Sequence, residues 1–259
     1  MIVMVGLGNL GLALGGRLVE CGHDVCGVDL AEARRSAWAE LTGRTAAPSL
    51  DEVDWAQADR VFVVVRLTEQ AAAVLDRLAA EPGKRTCFVV TTLDPSFAGA
   101  LGDHARPGLR IVELPVSGGA AGASGGTLTA MAAGPLSDAD ARLLTTTLAA
   151  RLVTFDAYGE PTLAKLFNNV TGAYNALVLA EMLLLAERAG VDPRRLHQVL
   201  LTSSGGSWMA AGFADLLDDL LDKDVRLLRA HLAHLGGLPG LSLGTGLPER
   251  LAAARRLLG

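Results

Sequence analysis

The sequence predicts an α/β protein: a doubly wound, mostly parallel sheet over residues 1–158 and an all-helical domain over residues 159–259, joined by one long helix. Three observations predict this. A glycine-rich turn, Gly6-Leu7-Gly8-Asn9-Leu10-Gly11, stands between an apolar strand at Ile2–Val5 and a helical pattern that stops at Gly22. Short apolar runs then alternate with helical patterns as far as Phe155, the rhythm of parallel strands covered by helices. Over residues 161–189 only Gly172 interrupts helix-favouring residues, which predicts a helix of roughly 40 Å.

A bare Gly-x-Gly-x-x-Gly is a weak signal in a chain with 30 glycines. Here it joins strand to helix, and Asp29 ends the next strand, Val25–Val28, about twenty residues on. That context makes a Rossmann-type, dinucleotide-binding fingerprint. Gly6 makes the tight turn, Gly8 lets backbone approach a pyrophosphate, and Gly11 permits close helix–strand packing. Asn9 and Leu10 open the helix whose N-terminus faces the phosphates. The Asp29 carboxylate suits the adenosine ribose hydroxyls, which favours NAD over NADP, while Arg34 and Arg35 lie near enough to leave NADP possible.

The rhythm continues with a helix at 51–58, a strand at 60–65, a helix at 69–80 and a strand at 86–91. A helix at 96–104 and a strand at Leu109–Glu113 follow. Ligands of such sheets lie at the carboxyl ends of the strands, which places Asp29, Arg66, Leu67, Thr68, Thr91 and Thr92 beside the cofactor. Residues 114–137 are uncharged but hold six glycines and two prolines, so they are no membrane helix. Within them Ser117, Gly118 and Gly119 leave backbone amides open to an anion, such as a substrate carboxylate. The same composition also suits a plain glycine loop. A strand at 127–133, a helix at 138–150 and a strand at 153–155 complete the first domain. The second continues with helices at 193–201, 213–235 and 248–258, and a loop at 236–246. Asp222 and Arg226 are spaced for an ion pair on the 213–235 helix.

Net charge is −5 and half the residues are hydrophobic, which predicts a soluble, mildly acidic protein without a basic field for nucleic acid. No basic segment precedes the short apolar start, so neither a signal peptide nor membrane attachment is expected. Cys21, Cys26 and Cys87 lack metal-type spacing and read as buried thiols of a reducing, cytoplasmic compartment, with no metal site. The long helix has no charge over residues 166–180 and apolar residues on every face, which predicts burial on most sides. The helical domain has too little chain of its own to cover it, so a homodimer is expected.

Twenty arginines but only three lysines, Lys84, Lys165 and Lys223, supply the fixed positive charge. A lysine in such a chain marks a place that needs a compact, titratable ammonium. Lys165 heads the uncharged stretch, with Asn169 one turn on along the same face. An unpaired buried charge is costly, and dry surroundings would lower the lysine pKa toward a working range. The plainer alternative is a lysine that snorkels to solvent from a helix end. Lys223, in a charged helix, reads equally as solvated surface.

These residues together resemble the β-hydroxyacid dehydrogenases, the group of 3-hydroxyisobutyrate dehydrogenase and tartronate semialdehyde reductase with the 6-phosphogluconate dehydrogenase-type fold. The matches are Gly6 to Gly11, Leu67, Thr91-Thr92 with Pro95, Pro115-Val-Ser-Gly-Gly, and Gly126-Thr-Leu-Thr. They continue with Lys165-x-x-Asn168-Asn169, Glu181, Ala189-Gly-Val-Asp, Ser207-Trp208 and Lys223-Asp224. The resemblance implies Lys165 as the acid–base residue, contacted by Asn169, and Ser117 to Gly119 as the hold on the substrate carboxylate. It places Lys223 near cofactor and active site, and it implies a nicotinamide-dependent oxidoreductase of a small β-hydroxy acid and its semialdehyde. Arg66 and Thr68 depart from the apolar residue and proline that usually flank the leucine, and the segment after Lys223-Asp224 is shorter than usual. Two alternatives follow from that shortening: an imine reductase-like enzyme, against which Lys165 argues, and a non-catalytic dinucleotide-binding protein.

Overall fold

The structure, a computed structural model, describes residues 1–213, 218–235 and 247–258. The loop expected at 236–246 and part of the helix expected at 213–235 lie outside the described residues.

Five strands, β1 (Ile2–Val5), β2 (Val25–Val28), β3 (Arg60–Val63), β4 (Arg85–Val89) and β5 (Leu109–Glu113), form a wholly parallel sheet in the order β2-β1-β3-β4-β5. Side chains alternate across it, as strand geometry demands. Ile2, Met4, Phe62, Phe88 and Val112 point to one face, where α1 (Asn9–Glu20) adds Leu14 and Leu18 and α2 (Glu32–Thr42) adds Trp38. Val3, Val5, Val61, Val63, Cys87 and Ile111 point to the other, against Ala71, Leu75 and Leu78 of α3 (Thr68–Ala79) and Ala98 of α4 (Pro95–Gly99). Both faces are covered, so the strands read as unbroken apolar runs. A second, three-stranded sheet, β6 (Val116–Ser117), β7 (Leu128–Ala132) and β8 (Ala149–Thr154), follows in the order β6-β7-β8. Between its strands lie α5 (Gly119–Ser124) and α6 (Asp138–Leu143).

Several elements differ from expectation, three of them for an evident local reason. Helix α2 has little apolar periodicity, and Trp38 is its one buried residue. That indole fills the space left by two glycines: a Cβ on Gly15 or Gly27 would lie 2.5 and 2.9 Å from its ring atoms. Residues 51–58 make only a short 3-10 turn at Leu50–Glu52. Asp54 captures the Ala56 amide and the Gln57 side chain (3.2 and 2.7 Å), and the Trp55 indole donates to the Leu50 carbonyl at 3.0 Å. The helix expected at 138–150 gives way to a wider π turn over Leu144–Leu148, and Ala149 opens a strand. Thr145, Thr146 and Thr147 each return their hydroxyl to a carbonyl four residues back, a pattern that bends and weakens a helix.

Cys21 is exposed at the end of α1, contrary to the expectation of three buried thiols. Cys26 is half-buried and Cys87 fully buried, where burial pushes its thiol up to about 12.

The helical part holds α7 (Glu160–Arg188), α8 (Pro193–Thr202), α9 (Trp208–Ala211), α10 (Asp218–His231) and α11 (Leu247–Leu258). Packing divides the chain into two compact units, Met1–Lys165 and Leu166–Gly259. The division falls inside α7, whereas the boundary expected from sequence, 158/159, stands just before it. Within the second unit α7 buries one stripe, including Leu166, Val170, Ala173, Ala176, Leu183 and Ala186. Gly172 lies against α9, since a Cβ there would meet Met209 at 3.1 Å. Phe167, Val178, Met182 and Leu185 are 43–58% exposed, so the helix is covered on one side rather than on most. By length and composition it could cross a membrane, with 39% of its most apolar window buried in the protein.

Candidate active site

In the first unit the glycine turn has the tightness its spacing predicts. Gly6 has φ +92°, a conformation that disfavours any side chain, and a Cβ there would lie 2.4 Å from the Val64 carbonyl oxygen. A Cβ on Gly11 would lie 1.9 Å from the Gly6 carbonyl oxygen. Gly8 caps α1 without a side-chain hydrogen bond, and Asn9 is exposed. The first amides of a twelve-residue helix are therefore not claimed by a side-chain cap, the arrangement that binds phosphate. The cradle fits a dinucleotide pyrophosphate.

Asp29 stands at the end of β2 beside this turn. Its Oδ2 accepts the Leu7 N–H at 2.8 Å and its Oδ1 the Ala31 N–H at 2.9 Å. The carboxylate thus locks the turn while keeping lone pairs for another donor. Arg35 donates to the Asp29 and Leu30 carbonyls at 2.9 and 2.7 Å. Arg34 behaves differently: its guanidinium reaches over the turn, 2.6 Å from where a Gly8 Cβ would stand.

The loops after β3 and β4 form the next part of the carboxyl edge. Leu67, 46% exposed, precedes α3, and Gln70 Oε1 accepts both the Arg66 and Leu67 amides at 3.1 and 3.0 Å. Thr68 accepts the Asp94 N–H at 2.9 Å, tying the two loops together, which the more usual proline could not do. Thr91 accepts the Val65 N–H at 3.0 Å, and half-buried Thr92 follows it. The structure thus gathers Asp29, Leu67 and Thr92 beyond the carboxyl ends of three strands, β2, β3 and β4, of one parallel sheet.

Beyond β5, Ser117 ends β6, and Gly118 and Gly119 have φ +127° and +63°. Their successive positive φ values turn the chain sharply into α5, and a Cβ on Gly119 would meet open space. The backbone at this turn is accessible from outside, as an anion-holding role requires.

Sequence reasoning passed over Glu113. Fully buried at the end of β5, it accepts the Gly159 N–H at 2.6 Å and the Thr162 N–H at 2.8 Å, so it caps the start of α7. Tyr158 adds a bond from its hydroxyl to the Ile111 carbonyl at 2.7 Å. Burial raises the Glu113 pKa, and the amide donors oppose that rise. The signal for it was present, an acid closing an apolar strand, but nothing in the sequence paired it with residues 46 or more positions away. Through this cap the first turns of α7, and half-buried Lys165, are fixed to the carboxyl edge of the sheet.

In the second unit Asn169 is half-buried on α7, and its Nδ2 donates to Asp224 of α10 at 2.5 Å. Lys223, also half-buried, precedes Asp224. Asp222 and Arg226 form the expected ion pair at 2.9 Å. Ser207 caps α9, accepting the Ala210 N–H at 3.2 Å, and Trp208 is 73% exposed. Among the described residues no cluster of His, Cys, Asp and Glu is placed to hold a metal.

Comparison with known proteins agrees with the motifs. The profile of the NAD-binding domain of 6-phosphogluconate dehydrogenase matches residues 1–151. The profile of the NAD-binding region of NADP-dependent 3-hydroxyisobutyrate dehydrogenase matches residues 159–254. L-threonate dehydrogenase of Cupriavidus necator is 32% identical over 219 residues, covering 80% of this chain and 72% of that protein. 3-Hydroxyisobutyrate dehydrogenase of Pseudomonas aeruginosa is 29% identical over 211 residues, with 80% and 71% covered. The crystal structure of 3-hydroxyisobutyrate dehydrogenase from Salmonella typhimurium superimposes with a TM-score of 0.81 at 22% identity, over 98% of this chain and 93% of that one. That last likeness speaks for the fold, and the profiles and the sequence relatives speak for the family. The chain belongs to the β-hydroxyacid dehydrogenase family and is a nicotinamide-dependent dehydrogenase.

Proposed function

We propose that the protein interconverts a small β-hydroxy acid and its semialdehyde, with Lys165 as the acid–base group and Asn169 beside it. The observation that carries this reading is the Glu113 cap, which holds the start of the Lys165 helix at the ligand edge of the sheet. When bound, the nicotinamide supplies the hydride chemistry. In oxidation a neutral Lys165 Nζ takes the substrate hydroxyl proton; in reduction its ammonium donates a proton to the carbonyl oxygen. The amides of Ser117, Gly118 and Gly119 hold the substrate carboxylate. The Gly6–Gly11 turn, Asp29, Leu67, Thr92 and Lys223 hold the cofactor, with NAD(H) preferred to NADP(H). The protein works as a homodimer in the cytoplasm, a second copy covering the exposed stripe of α7.

The test is turnover of a panel containing 3-hydroxyisobutyrate, L-threonate and a cyclic imine, by wild type and by Lys165→Arg. A guanidinium keeps the charge but cannot surrender its proton near neutral pH. The kcat for the hydroxy acid should fall about 10²–10⁴-fold with cofactor affinity nearly unchanged. Turnover within about threefold of wild type would end the assignment of Lys165, since general acid–base catalysis contributes far more than that. Preference for the imine would favour the reductase alternative, and cofactor binding without any turnover a non-catalytic role.

A further inference from the structure

Asp224 is 6% exposed and lies on the inner face of α10 with Val225 (5%) and Leu228 (0%). The same helix has outward positions for its acids, as Asp222 shows by pairing with Arg226. A carboxylate in an apolar stripe is costly unless its hydrogen bonds are met, so its inward placement requires a purpose. Its partner is Asn169, whose Nδ2 lies 2.5 Å from Asp224 Oδ2. An ionised carboxylate can only accept, so it selects which end of the Asn169 amide faces it. The nitrogen is drawn to α10, and Oδ1 is left for donors along α7, as its 3.1 Å bond from Asn168 Nδ2 illustrates. Lys165 precedes Asn169 by one turn on the same helix face. An amide presenting Oδ1 can accept from an ammonium or from a substrate hydroxyl. A flipped amide would present two N–H donors and repel the ammonium.

We propose that Asp224 is a positioning residue, which fixes the Asn169 amide with its carbonyl oxygen available to the acid–base lysine and the substrate. The proposal rests on the reading of Lys165 and Asn169 given above. In Asp224→Asn the residue keeps its shape but can face Asn169 with either a donor or an acceptor, so the orientation is no longer imposed.

The test is a double-mutant cycle of wild type, Asp224→Asn, Asn169→Ala and the double variant, assayed with the hydroxy acid of the panel that turns over best. Cofactor affinity is measured alongside by calorimetry. Asp224→Asn should lower kcat about 10- to 100-fold while KM stays within about threefold, the pattern of a misaligned group rather than lost binding. In the Asn169→Ala background the same substitution should change kcat by less than about threefold, because its only route of action is gone. Cofactor affinity should be unchanged throughout. Losses that multiply in the double variant would overturn the proposal and make Asp224 a structural residue. Should Asp224→Asn fail to fold, Asp224→Ser enters the same cycle with the same two outcomes. Absence of turnover by wild type would sink the lysine–asparagine reading itself, whereas turnover with multiplicative losses would sink only the role of Asp224.

Discussion

At the residue scale the cofactor turn is contested by two charges. Asp29 spends one lone pair of each oxygen on the Leu7 and Ala31 amides and keeps the others for further donors, the proposed ones being ribose hydroxyls. A 2′-phosphate would meet that carboxylate, which is the basis for the proposed preference for NAD(H). Arg34, exposed and reaching over Gly8, is the cation proposed to offset it, while Arg35 is occupied with backbone carbonyls. Arg34→Ala should therefore weaken NADP(H) about tenfold, the scale of one charge-assisted hydrogen bond, and leave NAD(H) within about threefold. Calorimetric titration of both cofactors checks this. An equal loss for both would place Arg34 on a part of the cofactor that the two share.

At the element scale the decisive contact is between β5 and the start of α7. Glu113 satisfies two amides that the helix leaves unbonded at its first turn, and an acid near a helix N-terminus is favoured by the helix dipole. Burial nonetheless raises its pKa above the ordinary 4.5. The folded state therefore holds the Glu113 proton more tightly than the unfolded chain does. This contribution is fully present below pH 4.5 and is lost as pH rises through the higher folded value. Glu113→Gln, which does not titrate, should be less stable than wild type, having lost one of two amide acceptors. The gap should narrow as pH rises from 4.5 through the folded value. Thermal melts of both proteins across that range measure it. A gap that stays constant with pH would mean that Glu113 titrates alike in the folded and unfolded chain.

At the scale of the whole molecule α7 presents a problem that the described residues leave unsolved. Phe167, Val178, Met182 and Leu185 recur at helical spacing and remain 43–58% exposed. The stripe is bordered by exposed Asn168, Thr171 and Asn175, which suits a protein partner better than a bilayer core. A second copy of the chain is the proposed cover. Met182→Glu, which puts a charge into that contact, should convert a dimer into a monomer, read by light scattering at micromolar concentration. A wild-type protein that is already a monodisperse monomer would refute the dimer.

Much of this was legible in the sequence because it depends on neighbours in the chain. The turn from Gly6 to Gly11, Asp29 at the end of its strand and five apolar parallel strands each declare themselves by local spacing. The length of α7 follows equally from a run of helix-favouring residues that only Gly172 interrupts. What the tertiary structure alone decided involves residues far apart in the chain. Helix α2 exists to seat Trp38 on Gly15 and Gly27, which periodicity within eleven residues could not reveal. Glu113 meets Gly159 and Thr162 across 46 and 49 residues, and Asn169 meets Asp224 across 55. A buried polar group needs a partner wherever the fold can bring one, and only the folded chain says which residue that is.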